Sequence, residues 1–426
     1  MTAIIWPGAA ELPQLPFKRL FTPVKRAPTQ GAHIVTAYTD GQVTLRSNRA
    51  KVGYHEAADT STYIGVRKGD FVVHGLDIMR GSVGVSDSDG VISPVCTVCL
   101  PTHLIEPRYA AYAMRLQAAS GFPKALARGV REGGADFRRW DTLAELPLPV
   151  PPVDHQRAIA DYLDRETAQI DAFIAKNEEL IALLTERRSA TITELILRGV
   201  DRSAVLRESG VEGMGRIPIH WGVQPIVTLA RVLTSTIDKK SYPGEQPVRL
   251  CNYTDVYYSE SINSDVGFMA ATATREQIKK FSVREGDVPF TKDSESSDDI
   301  GISSYVSRDL PGVVYGYHLG IYRPADMRSG KYIKYLLDTT YVKDYFLRRT
   351  PGVTRVGLAQ SVVRYLRSPV PPMHETLAIV TEIERVTGAL DVGINLASEA
   401  IKLSRERRAA LISATVTGKI NVRKAS

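Results

Sequence analysis

One stretch of this sequence occurs twice. Val150-Pro151-Pro152 opens a long helical pattern that runs through Glu186-Arg187-Arg188 to Arg198-Gly199, and Val370-Pro371-Pro372 opens another that runs through Glu406-Arg407-Arg408 to Thr417-Gly418. Val150 and Val370 are 220 positions apart, and so are Glu186 and Glu406, so the two patterns match without a gap. A period of this size excludes a short-unit solenoid. It makes each half of the 426-residue chain one copy of a domain followed by a helix.

The first pattern carries Ile159, Leu163, Ile170, Phe173, Ile174, Leu180, Ile181, Leu184, Ile192 and Leu195 at steps that alternate threes and fours. That is the spacing of one apolar helix stripe with heptad character. A helix from about 156 to 197 is roughly 60 Å long at 1.5 Å per residue, with Asp154 as its expected cap and Gly199 as its stop. The second pattern answers with Ile379, Ile383, Leu390, Ile394, Ile401, Leu411 and Ile412. The expected pairing positions are Ile159, Leu163, Ile170, Ile174 and Ile181 on the first helix and Ile379, Ile383, Leu390, Ile394 and Ile401 on the second. Asn177 falls on the stripe where the second copy has Ala397, either as a register-fixing core amide or at the stripe edge.

The segments before the helices read as mixed and strand-rich. Phe71-Val72-Val73 and Val91-Ile92 are short β-type runs bounded by Gly, Asp and Ser. Tyr109 to Gln117 is expected to be helical, with Tyr109, Tyr112, Ala113 and Leu116 on one face. Their punctuation recurs. Val66-Arg67-Lys68-Gly69-Asp70 is echoed by Val283-Arg284-Glu285-Gly286-Asp287, Arg108-Tyr109 by Lys331-Tyr332, and Gly129-Val130-Arg131 by Gly352-Val353-Thr354-Arg355. These offsets drift between 217 and 223, as loop insertions produce. The expected architecture is α+β: two mixed, strand-rich domains separated by two long helices packed as an antiparallel coiled coil, with a pseudo-two-fold internal repeat. The expected boundaries are 1–153, 154–200, 201–372 and 373–420, followed by a basic tail, 421–426.

Charge separates along the same lines. The net is +4 over 1–153, −3 over 154–200, +4 over 201–372, zero over 373–420 and +2 over the tail. Positive charge on the two domains and not on the helices fits globular parts that face a polyanion. No apolar run approaches the ~20 residues of a membrane span. The N-terminal residues lack a basic region followed by an apolar core, and three cysteines argue for a reducing cytosol.

Enzyme motifs are missing. There is no Asn-Pro-Pro-aromatic motif of an amino-methyltransferase and no Gly-x4-Gly-Lys-Ser/Thr phosphate loop. Gly213-Met214-Gly215 reads as a turn. Cys96 and Cys99 have metal-like spacing, but one pair is not a site, and they read as core cysteines of a strand. His318 has no nucleophile or carboxylate placed beside it by sequence, which leaves a structural or DNA-contacting role.

A Pro-Pro strut, a long helix with an Ile170-Asp171 or Leu390-Asp391 step, an Arg-rich turn near its end and a terminal Gly all occur twice, each after a poorly repeated domain. In this the chain resembles the DNA-specificity subunit of a type I restriction–modification system over nearly its whole length. Gln156 matches the Gln-containing helix start of that family, and Thr376 departs from it. The resemblance implies two target-recognition domains that read a bipartite, asymmetric site in double-stranded DNA, one half-site each. It implies partners: two methyltransferase subunits and motor–nuclease subunits, which would carry S-adenosylmethionine, ATP and Mg2+. It implies no cofactor, metal or catalytic residue in this chain, and a cytoplasmic location. The alternative is a single-chain DNA methyltransferase or nuclease with an unrecognised active site.

Phosphate contacts position a protein on DNA and base-edge contacts specify sequence, so the candidates are basic, amide and aromatic side chains in loops. In the first domain these are Arg46, Asn48, Arg49, Lys51, Tyr54, Arg128 and Arg131; in the second, Lys239, Lys240, Lys292, Arg355 and Arg364.

Overall fold

The computed structural model describes residues 5–29, 31–49, 61–127, 130–131, 134–296, 299–350 and 356–422. Two compact units divide the chain. Unit 1 combines residues 1–176 with 399–426, and unit 2 is the continuous stretch 177–398. The two repeated helices, Val153–Arg198 and Met373–Val416, are 46 and 44 residues long and each contributes to both units. Because the first begins at Val153, Asp154 lies inside its first turn and not at the cap position expected from the sequence. There its negative charge still faces the helix N-terminus favourably.

Unit 1 is built on an antiparallel sheet ordered Phe21–Val24, Cys96–Pro101, Phe71–His74, Val83–Val85. Phe17, Phe21 and Phe71 stack in its core, with ring centroids 4.6 and 4.4 Å apart. Cys96 and Cys99 lie on the second of these strands as buried free thiols, and burial pushes each up to about 12. The helix Pro107–Ser120 packs on the sheet. Its buried face is formed by Tyr109, Ala110, Tyr112, Ala113, Met114, Gln117 and Ala118, while Leu116 is only half-buried, so the apolar face is wider than the sequence spacing indicates. The Gln117 side chain is buried because its Nε2 donates to the Pro147 carbonyl at 2.6 Å.

Unit 2 holds a three-stranded antiparallel sheet, Ala230–Thr234, Leu319–Pro324 and Val288–Thr291, and a second sheet ordered Met269–Ala273, Gln246–Cys251, Val313–Tyr315.

The segments that lead into the Pro-Pro struts are strands in both units. Pro147–Pro149 pairs antiparallel with Gln14–Pro16, and Arg367–Val370 pairs antiparallel with Gly222–Pro225. Proline is tolerated there because each pair is a two-stranded sheet, which leaves one edge without a ladder bond to lose. The echoed turns also match in detail. Gly69 and Gly286 take left-handed φ values of +92° and +83°. After each comes a buried aspartate that accepts from the backbone three residues earlier: Arg67 N–H to Asp70 at 2.7 Å, Arg284 N–H to Asp287 at 3.1 Å. Each aspartate is then paired with an arginine from a distant strand or loop, Arg26 in unit 1 and Arg323 in unit 2.

The helix stripes join the domain cores. Ile159, Ala160 and Leu163 enter the unit 1 core together with Ile412 and Val416; Ile379, Val380 and Ile383 enter the unit 2 core together with Ile192 and Ile196. These are equivalent positions of the repeat. Nearer the helix middles, Ile170 and Ile401 are buried in unit 1, where Ile174 is half-buried; Ile181, Leu390 and Ile394 are half-buried in unit 2. Ala397 is buried and Asn177 is half-buried.

Candidate nucleic-acid interface

In unit 2 the polar residues gather around one cleft of about 710 Å³. Its first wall is the short helix Tyr253–Tyr257, held by a capping box in which Asn252 and Asp255 satisfy each other's backbone amides. One helical turn separates Tyr253 from Tyr257, so their rings stack, with centroids 5.5 Å and planes 19° apart. The Tyr257 hydroxyl donates to Asp299 at 2.6 Å, and that hydrogen bond holds its proton, pushing the phenol up to about 12. Tyr258 packs edge-on against Tyr257 and is 80% exposed.

The opposite wall follows the edge strand Val288–Thr291. Lys292 donates to Asp293 at 2.8 Å, the His318 Nδ1 lies 3.1 Å from the same carboxylate, and Tyr317 packs on the His318 ring at 3.7 Å. Lys292 Nζ also lies 5.9 Å from the Tyr317 ring centre. Asp293–Ser294 pairs with Val356–Gly357, which brings the end of the second Gly-x-x-Arg loop to the cleft edge.

Lys239 lines the cleft and Lys292 is tied to its lining residue Asp293, while Lys240 lies exposed next to Lys239 and Arg364 is the exposed last residue of the helix Gln360–Arg364. Arg355 lies outside the described residues. The tyrosines and His318 were not among the expected contacts. Their signal was present as aromatic density in a polar stretch, Tyr253-Thr254-Asp255-Val256-Tyr257-Tyr258. Chemically, the cleft offers flat aromatic faces for apolar contact, lysines for phosphates, and carboxylate and hydroxyl oxygens that accept from base amino groups.

In unit 1, Arg46, Asn48 and Arg49 follow the hairpin Val35–Ala37/Val43–Leu45. Arg46 Nε donates to Thr36 at 3.3 Å and Asn48 to Thr44 at 2.9 Å, so both are partly engaged in holding the hairpin. Arg49 lies 4.3 Å over the Tyr38 ring and pairs with Asp40 at 2.8 Å. Lys51, Tyr54, Arg128 and the side chain of Arg131 lie outside the described residues. The backbone of Val130–Arg131 pairs with Gly134–Ala135 as a tight hairpin, unlike the second copy, whose flank pairs with Asp293–Ser294. Among the described residues no group of three His, Cys, Asp or Glu side chains is placed to hold a metal ion, and no helix is long and apolar enough to cross a membrane.

Two strand-rich domains, each seated on the start of one long helix and the end of another, define a class of α+β repeat protein. Solved structures share this fold. The chain is similar to the HsdS subunit from Thermoanaerobacter tengcongensis, at 13% identity over 97% of this chain and 98% of that one, with a TM-score of 0.50. It is also similar to a chain from work on complex assembly and conformational transition of the type I R-M system, at 14% identity over 96% and 99%, with a TM-score of 0.64. The chain thus has the fold of a type I restriction–modification specificity subunit. No protein-family model matches the sequence, and no curated protein sequence matches it.

Proposed function

We propose that this chain is the non-catalytic, DNA-reading subunit of a type I restriction–modification complex. The observation that carries the reading is the duplication itself: one domain-plus-helix unit present twice, in a fold shared with an HsdS subunit over 97% of the chain. Each domain reads one half-site of a bipartite target in double-stranded DNA. The half-sites differ, because the domains share punctuation and not loops. The unit 2 cleft, with Lys239, Lys292 and its tyrosines, is the reading surface of the second domain; Arg46, Asn48 and Arg49 lie on that of the first. The repeated helices recruit two methyltransferase subunits and set the gap between half-sites. S-adenosylmethionine, ATP and Mg2+ belong to those and to the motor–nuclease subunits, in the cytoplasm.

The test is to co-purify the chain with the modification subunit of its host and to sequence the methylated DNA. The expected result is a complex that methylates one bipartite, asymmetric motif. A failure to form the complex, or methylation without sequence preference, overturns the reading. DNA cleavage or methylation by the chain alone would support the single-chain enzyme instead.

A further inference from the structure

The end of one sheet strand is built on the same backbone frame in both units. In unit 2, Lys292 follows the strand Val288–Thr291; its N–H donates to the His318 carbonyl at 3.1 Å, and its own carbonyl accepts from the Leu358 N–H at 2.8 Å. In unit 1, Gly75 follows the strand Phe71–His74; its N–H donates to the Val95 carbonyl at 3.0 Å, and its own carbonyl accepts from the Phe137 N–H at 2.8 Å. The registers agree, with His74 opposite Cys96 and Thr291 opposite Leu319, each the first residue of its strand. Gly75 thus stands in the place of Lys292, Val95 in that of His318, and Asp136 in that of Gly357, which lines the unit 2 cleft.

On this shared frame the carboxylate changes segments. In unit 2 it comes from just past the strand end, as Asp293, and the returning segment supplies a glycine: a Cβ at Gly357 would lie 3.2 Å from Asp293 Oδ1. In unit 1 the returning segment supplies Asp136 and the strand end is the glycine: a Cβ at Gly75 would fall 2.8 Å from the Arg138 backbone. The held cation changes as well. Asp293 takes the Lys292 ammonium and faces the His318 ring. Asp136 takes one edge of a guanidinium, Arg138 donating from Nε at 3.0 Å and from Nη2 at 2.6 Å. Between them Phe137 is buried in the unit 1 core, while Arg138 is exposed. The same fork occurs at Asp326–Arg328, so the Asp-x-Arg spacing assigns nothing by itself; the place in the frame does.

We infer that Arg138, oriented by Asp136, reads a guanine in the half-site of unit 1. The inference rests on the DNA-reading function proposed above. A guanidinium carries five N–H donors in a fixed plane. Asp136 takes that of Nε and one of Nη2, and the Nη1–Nη2 edge remains. That edge matches O6 and N7 of guanine, two acceptors side by side in the major groove. A carboxylate on one edge fixes the plane of the other, so less side-chain freedom is lost when the base is met. The ammonium of Lys292 is a point charge without such a fork. The two domains therefore differ in what they can read from this one place.

The experiment is a binding selection on randomised duplexes with the full chain and its Arg138→Gln, Arg138→Lys and Asp136→Asn variants, together with duplex affinity across salt concentrations. The wild type is expected to prefer guanine at one position of one half-site. Arg138→Gln should lower that preference by roughly five- to a hundredfold. The preference at the other half-site should persist, which also reports that the variant is folded. Arg138→Lys keeps the charge without the fork, so it should lose the guanine preference and keep the salt slope. Asp136→Asn should weaken the preference at that same position and no other. If Arg138→Gln and Arg138→Lys both retain the guanine, the inference is overturned and the DNA-reading function stands. An even loss of affinity across all sequences, with a salt slope shallower by ~0.9 in Arg138→Gln, marks a phosphate contact and overturns it too. A wild-type chain that binds duplexes without any sequence preference overturns both.

Discussion

Arg408 donates two hydrogen bonds to Asp171, at 2.9 and 3.2 Å, and the repeat reproduces this pair with its members exchanged, Arg188 donating to Asp391 at 2.8 Å. Moving 220 positions converts Arg188 into Arg408 and Asp171 into Asp391. As the position rises from 171 to 188 on one helix, its partner falls from 408 to 391 on the other, which is the signature of antiparallel pairing in a fixed register.

The two ion pairs differ in surroundings, and their contributions should differ accordingly. Asp171 is half exposed, so a double-mutant cycle with Asp171→Ala and Arg408→Ala should give a coupling of about 0.2–1 kcal/mol. Arg188 is less exposed and is also gripped by Glu260 through both carboxylate oxygens, at 2.8 and 2.9 Å, so the Arg188–Asp391 cycle should give the larger coupling. Urea denaturation of the four variants in each cycle checks the order.

Asp287 is fully buried and accepts from Arg323, from the Tyr315 hydroxyl at 3.0 Å and from the Arg284 backbone. Asp287→Ala leaves a half-buried guanidinium and a buried phenol without their acceptor, and should cost about 3–5 kcal/mol. Denaturation followed by tryptophan fluorescence reads this, since Trp221 lies in the unit 2 core.

Glu375 gives a pH dependence. Desolvation raises its proton affinity, but hydrogen bonds from the buried Trp221 indole, at 2.9 Å, and from His220, at 2.8 Å, outweigh it and hold the carboxyl below its usual value of 4.5. A carboxyl depressed in the folded state contributes stability above its unfolded value and loses it as the pH falls through the folded one. The stability gap between wild type and Glu375→Gln should therefore be constant above about pH 5 and should shrink as the pH falls below 4.5. Melting temperatures from pH 3 to 7 check it; a gap that widens toward acid contradicts the assignment.

Ile174→Pro removes an interior hydrogen bond of the first long helix and clashes with the preceding turn, at about 3 kcal/mol or more. The expected outcome is loss of helical circular dichroism and of co-purification with modification subunits, while the tryptophan signal of the unit 2 core persists.

At the unit 2 cleft the side chains should separate by chemistry. Lys292→Gln should weaken duplex binding evenly across sequences, while Tyr257→Phe should relax preference at a single position of one half-site, by about 1–3 kcal/mol if its oxygen reads a base. Binding selections on randomised duplexes distinguish the two patterns.

The helices were legible in the sequence because a stripe at threes and fours, sustained from Ile159 to Leu195, has no other compact solution, and the duplication made the second visible from the first. Turns at Gly69 and Gly286 were legible for the same reason. Less visible was the reach of the helix stripes: Ile192 and Ile412 look like any other stripe position, yet they complete domain cores, because burial there depends on what a distant segment places against them. The cleft was hidden more deeply. Tyr253 and Tyr317 are 64 positions apart, and only the fold of the sheet between them brings their rings to one space.

The core of unit 1 takes Ile412, Val416 and Val422 from the far end of the chain. Unit 2, by contrast, is one uninterrupted run, 177–398, set inside the other. On a ribosome the second unit has its whole sequence before the first receives its final wall. Until the last two dozen residues emerge, Ile159, Leu163 and the Phe17–Phe21–Phe71 cluster lack part of their cover. The unit that is started first is finished last, and a stop codon near residue 400 would spare the sequence of the one while unseating the other.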